Sequence, residues 1–92
     1  MDRIDEQLAM LRHRDAYNRV RAARILSRLG DARAIDPLIS ALADRDPGVR
    51  QAATEALVAI GEPAVDPLMV ALDSAPLRPH VAAVLHDLGY PV

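Results

Sequence analysis

Arginine is the residue type through which this 92-residue chain could do chemistry, since it supplies all eleven basic side chains and neither lysine nor cysteine is present. Arg21, Arg24 and Arg28 are spaced three and then four residues apart, so a helix would carry them along one face. Guanidinium groups grouped in that way suit carboxylates or phosphates, which they grip in bidentate fashion. A second set, Arg19, Arg50 and Arg78, recurs at spacings of 31 and 28 residues. Regular recurrence favours a structural task, a hydrogen-bonding column between neighbouring loops with Asp15, Asp44 or Asp46 as acidic partners. The competing reading is a ladder for an anionic ligand. Other constellations are poor. His80 and His86 are six residues apart and fall on different faces of one helix, and His13 is remote in sequence, so no metal site is expected. Ser27, Ser40 and Ser74 lack a nucleophile-elbow setting, and the four glycines are isolated rather than gathered in a phosphate loop. Glu55 and Asp87 form a conceivable acid/base pair that nothing in the spacing singles out. The expectation is no catalytic residue and no cofactor.

The elements that position these residues are set by a repeat. Arg14-Asp15 through Gly30 realigns with Arg45-Asp46 through Gly61 at a spacing of 31, so that Arg19, Ala22, Leu26 and Gly30 meet Arg50, Ala53, Leu57 and Gly61. Ile35-Asp36-Pro37-Leu38 pairs with Val65-Asp66-Pro67-Leu68 at a spacing of 30, and a third copy places Leu85 on Leu57 and Leu88-Gly89 on Ile60-Gly61 at 28. Ile4-Asp5 and Leu11 align with Ile35-Asp36 and Leu42, so the front of the chain is a repeat half as well. A period of this length marks stacked helical repeats, each unit burying its apolar face against the next.

Six helices are expected, over about 2–13, 16–29, 32–43, 47–60, 63–73 and 76–88. Their ends carry the appropriate chemistry: Asp46-Pro47 supplies a capping oxygen and a first-turn proline, and Gly30, Gly61 and Gly89 close helices. Val49, Ala53, Leu57 and Ile60 make a stripe of the kind a helix buries. Pro37 and Pro67 fall inside predicted helices at equivalent positions, where a lost backbone donor should bend the helix or delay its first turn. Seventeen alanines and the absence of Phe and Trp point to close helix packing rather than bulky core filling.

The segment Asp46-Pro47-Gly48-Val49-Arg50-Gln51-Ala52-Ala53 with Ala56-Leu57, followed by Ile60-Gly61-Glu62-Pro63-Ala64-Val65-Asp66-Pro67-Leu68, resembles the HEAT-like repeat, specifically the short variety found in phycobilisome lyases. The resemblance implies an all-α fold, an α-α superhelix or short solenoid of three two-helix repeats (about 1–30, 31–61 and 62–92) within a single 1–92 domain. It further implies that helices 2–13, 32–43 and 63–73 line the convex side and helices 16–29, 47–60 and 76–88 the concave side. Asn18 in place of the motif's valine and Ala75-Pro76 in place of Asp46-Pro47 put two loops in question. Such repeats serve scaffolds, bilin-attachment enzymes and DNA-repair glycosylases, so the fold alone assigns no activity.

Charge is unevenly placed. Residues 1–33 hold eight arginines against five acids, and residues 34–92 three against eight. Comparison of equivalent positions reads the stripe Arg21, Arg24, Arg28 chiefly as an end cap, because Arg21 and Arg28 stand where the second copy has Ala52 and Ala59, and Gln7 where it has Leu38. At the other end Val81, Val84 and Leu85 are expected to leave an uncovered apolar face. Either the chain docks a partner or a second copy through helix 76–88, or Tyr90 and Val92 fold back over that stripe.

The favoured function is a non-enzymatic protein-interaction module, a small scaffold or adaptor. Its concave face is expected around Arg24, Gln51, Glu55, Val58, Ala83 and His86, with Val84 and Tyr90 as further contacts. The alternative is an accessory or lyase-like subunit that pairs Arg21, Arg24 and Arg28 with a small anionic or tetrapyrrole ligand. Nucleic acid is disfavoured by a net charge of -2 and by having only Tyr17 and Tyr90 to stack on bases. With no apolar run of membrane-spanning length and no signal-peptide pattern at Met1-Asp2-Arg3, a cytoplasmic protein without membrane contact is expected.

Overall fold

Helix boundaries follow from the capping residues. In the computed structural model, which describes residues 2–92, Asp2, Asp15 and Asp46 each turn a side-chain oxygen onto a free amide of the turn that follows. They start α1 (Arg3–Met10), α2 (Ala16–Leu29) and α4 (Pro47–Ile60). Such caps satisfy donors that a helix start otherwise leaves unpaired. α2 stops where Gly30 enters the left-handed region at φ 62°, and α4 stops at Gly61, whose φ of 77° and ψ of -136° suit glycine alone.

Pro37 and Pro67 delay their helices rather than bend them. Each is the third residue of a short α-helix, α3 (Ile35–Ala41) or α5 (Val65–Ala71), where an N–H would have no intrahelical acceptor. The residues ahead of each helix form a single 3-10 turn, Ala32–Ala34 or Glu62–Ala64, closed by Ala34 N–H to the Asp31 carbonyl at 3.0 Å and by Ala64 N–H to the Gly61 carbonyl at 2.9 Å. The continuous helices expected over 32–43 and 63–73 are therefore each a 3-10 turn followed by a shorter α-helix. The last helix, α6 (Arg78–Asp87), likewise begins two residues later than expected, with Pro79 in its first turn.

Six α-helices and no strand occur among the described residues, arranged as three antiparallel pairs in two layers, α1, α3, α5 and α2, α4, α6. The most extensive packing is between α2 and α4. Ala22, Ala23, Ala52, Ala53 and Ala56 are all at most 2% exposed, and their small side chains let the two helices approach closely. Leu26, Leu38, Leu42, Leu57, Leu68 and Leu85 fill the space between the layers and are fully buried. Each such leucine stabilises the fold by roughly 1.5 to 3 kcal/mol relative to exposure.

The apolar stripe of α6 departs from expectation. Val81, Val84 and Leu85 are 0% exposed and belong to the core. They stand 28 residues beyond Ala53, Ala56 and Leu57, and that face of each pair packs inward against α5 and α4, not outward toward a following repeat. Val84 is thus not a surface contact, and helix 76–88 offers no apolar stripe to a second copy. The exposed large apolar groups at this end are Met69 and Val70 on α5, 37% and 73% exposed, and Val92 in the tail.

Candidate functional site

Three sets of polar residues stand out once the helices are in place, and the first is structural. Arg19, 7% exposed, sends Nε to Asp44 Oδ2 at 2.9 Å and Nη2 to Asp44 Oδ1 at 3.0 Å. Its Nη1 donates to the carbonyls of His13 at 2.8 Å and Arg14 at 3.0 Å. One guanidinium thus ties the α1–α2 loop to the α3–α4 loop. Arg50 repeats the carbonyl half of this pattern, donating to Asp44 O at 2.8 Å and Arg45 O at 3.2 Å, and Arg78 Nε reaches Leu72 O at 2.8 Å. Arg50 has no carboxylate because the residue 30 beyond Asp44 is Ser74. The bond to Asp44, together with the nearby carboxylates, holds Arg19 above its ordinary pKa despite burial. Burial pushes the Asp44 carboxyl up, but the Arg19 bond and the Asp46 N–H at 2.9 Å outweigh it, and the net shift is downward. The column is a loop clamp in which Asp44 and His13 are equivalents: Asp15 N–H donates to His13 Nδ1 at 3.0 Å just as Asp46 N–H donates to Asp44.

The second set is the open face of the α2, α4, α6 layer. Arg24, Gln51, Glu55, Ala83 and His86 are exposed on it, and Val58 is half-buried against the core. Gln51 Nε2 donates to Glu55 Oε2 at 3.1 Å, one turn along α4. Arg24, Arg28, Ala52 and Glu55 line a small groove of about 210 Å³ between α2 and α4. Tyr90 is not on this face. Its backbone N–H bonds the Leu85 carbonyl at 2.9 Å, and its hydroxyl donates to the Glu62 carboxylate at 2.6 Å, which raises the phenol's pKa. Tyr90 therefore folds the tail back onto the preceding 3-10 turn, while Val92 remains 57% exposed.

The third set is the basic stripe. Arg21, Arg24 and Arg28 are exposed along α2, and the structure adds Arg3 from α1, which sequence spacing could not link to them. Together with Tyr17 and Ile25 they line an open groove of about 390 Å³. The Arg21 guanidinium sits 5.9 Å from the Tyr17 ring centre, within cation–π range. No carboxylate lies within 4.0 Å of any of these four arginines among the described residues. Arg33, by contrast, is taken up by Asp31 at 3.1 Å and Asp2 at 3.3 Å, which hold it firmly charged. A further groove, of about 510 Å³, separates the end of α1 from α3, with Leu11, Pro37, Ser40 and Asp44 in its walls.

No helix among the described residues is long and apolar enough to cross a membrane. None of the curated proteins matches the chain. The family model for HEAT repeats matches residues 4–89, which takes in all six helices and the loops clamped by Arg19 and Arg50. The match is to HEAT repeats in general and does not reach the phycobilisome-lyase variety. With paired helices, a recurrent arginine clamp and this match over nearly its whole length, the chain belongs to the HEAT-repeat family.

Proposed function

We propose that the chain is a protein-interaction module, a small scaffold or adaptor, whose contact surface is the open face of α2, α4 and α6. HEAT repeats generally mediate protein–protein contacts. The observation that carries the reading to this face is the asymmetry of the two layers: α2 and α4 are drawn together by alanines, while a groove of about 510 Å³ parts α1 from α3. Closer packing in one layer curves the stack toward it, so Arg24, Gln51, Glu55, Ala83 and His86 stand on the inside of the curve. These side chains are exposed and take little part in holding the fold, the Gln51–Glu55 bond being local to one helix. A polypeptide fits such a surface better than the tetrapyrrole alternative, since the basic groove is open and Tyr17 is its single aromatic wall. A cytoplasmic setting belongs to the same proposal.

The test is affinity capture from the native host with the wild-type chain and with Gln51→Arg/Glu55→Arg, both checked for unchanged melting. A stoichiometric protein that the variant loses supports the proposal. A copurifying chromophore, or a partner held equally by the variant, contradicts it.

A further inference from the structure

We infer that the open side of α2 is a seat for a helix, and that its occupant is an acidic amphipathic helix of a partner protein. The inference rests on the interaction-module reading and adds the chemistry of what is bound.

The seat is defined by equivalence within the molecule. Tyr17, Arg21 and Ile25 stand 31 residues before Gly48, Ala52 and Ala56. In α4 that ridge is covered by a helix: Ala52 and Ala56 are 2% and 0% exposed, and a Cβ built on Gly48 would lie 3.6 Å from Val20 of α2. The same ridge of α2 is open, with Tyr17 67% exposed and Ile25 half-buried. The backbone thus offers on α2 the surface on which a helix packs against α4, and only the side chains differ.

Those side chains specify charge. Arg3, Arg21, Arg24 and Arg28 come from two helices into one groove, and none has a carboxylate within 4.0 Å among the described residues. The arginines with structural tasks are sorted apart from them: Arg19 and Arg33 hold carboxylates, and Arg50 and Arg78 hold carbonyls. Arg21 and Arg28 are separated by seven residues, about 10 Å along the axis. Acidic side chains at i, i+4 and i+7 of a docking helix repeat at that interval, so the two rows meet in register. Ile25 and the Tyr17 ring supply an apolar strip for one leucine-like side chain. A nucleic acid fits less well, because the patch is short and residues 34–92 carry eight acids against three arginines, which would repel a long polyanion.

The experiment measures binding of the whole chain, by fluorescence anisotropy at low salt, to three labelled probes. One is a helical peptide with Glu at i, i+4 and i+7 and a Leu on the same face. The second is a scramble of identical composition, and the third is a single-stranded oligonucleotide of matching charge. The patterned peptide is expected to bind more tightly than both others and to weaken as salt shortens the screening length. Arg21→Glu/Arg28→Glu should weaken it by about tenfold or more, and the milder Arg21→Gln/Arg28→Gln by less, with melting unchanged in both. Arg12→Glu/Arg45→Glu, which makes the same charge change outside the groove, should weaken it clearly less than Arg21→Glu/Arg28→Glu does. Equal binding of the scramble, tighter binding of the oligonucleotide, equal loss in the Arg12/Arg45 variant, or no binding of the patterned peptide would each overturn the inference. A native partner that depends on Gln51 and Glu55 but not on Arg21 and Arg28 would overturn it while leaving the interaction-module reading intact.

Discussion

Replacing Arg19 with alanine should be the most damaging loss among the recurrent arginines, and the reason is visible in its bonds. The change deletes two bonds to Asp44 and two to loop carbonyls. It leaves the Asp44 carboxylate, whose side chain is 15% exposed, held only by the Asp46 N–H. Removing one partner of a buried ion pair typically costs about 3 to 5 kcal/mol, and the residual exposure places this pair near the lower figure, about 3 kcal/mol. In a chain of this size that loss corresponds to a fall in melting temperature of roughly 12 to 24 °C. Arg50→Ala removes only carbonyl contacts and should cost about 1 to 2 kcal/mol. Urea titrations followed by far-UV circular dichroism give both values, and a double-mutant cycle with Asp44→Ala should return a coupling of about 2 kcal/mol. Acidity supplies a second check. The folded-state pKa of Asp44 is depressed, so the pair's stabilisation is complete above the ordinary carboxylate range near pH 4 and is lost as pH falls through the folded value. The gap between wild type and Arg19→Ala should therefore narrow in acid to the part held by the two loop-carbonyl bonds, which do not titrate. An Arg19→Ala loss below about 1 kcal/mol, or one matched by Arg50→Ala, would refute the clamp.

Further substitutions probe the rest of the fold. Leu57→Ala should cost about 2 to 5 kcal/mol, since the side chain is fully buried, and Val84→Glu should abolish the cooperative transition by placing an unpaired charge in the core. At the helix ends, Gly30→Asn should be nearly neutral because asparagine tolerates the left-handed region, whereas Gly61→Asn should cost about 1 to 3 kcal/mol. Tyr90→Phe removes the exposed bond to Glu62 and should lower stability slightly. Because the phenol's folded pKa is raised, that contribution is intact below about pH 10 and disappears as pH climbs through the folded value, so an alkaline melt of the two proteins should converge. Arg28→Ala, at an exposed position without an ion-pair partner among the described residues, should shift stability by no more than about 0.5 kcal/mol in the same titration.

What could be read from residues alone was whatever repeats within the chain. The spacing of Arg19 and Arg50 discloses a shared structural duty, with Asp44 among the acids near enough in the repeat to serve it, because a clamp between loops must recur with the loops. Pro37 and Pro67 marked a shared irregularity for the same reason, but their spacing left a bend and a delayed start open, and the structure has the delayed start. The misreading of α6 came from treating Val81, Val84 and Leu85 as an end face, although their alignment with Ala53, Ala56 and Leu57 already assigned them to the inward side. Arg3 was missed because its link to Arg21, Arg24 and Arg28 runs between helices, and no periodicity within α2 encodes it. Tyr90 with Glu62 is likewise a contact across 28 residues that no repeat duplicates. Pairwise contacts outside the period had no counterpart in the chain to reveal them.

The central claim, that the inner layer of helices is the surface that meets a partner, is tested most directly by photo-cross-linking in the native host's extract. A photoreactive residue replacing Glu55 on α4 should join the chain to a single protein in stoichiometric yield, while the same residue replacing Asp66 on α5 should join it to none. A cross-link from position 66 and silence at position 55 would contradict the account.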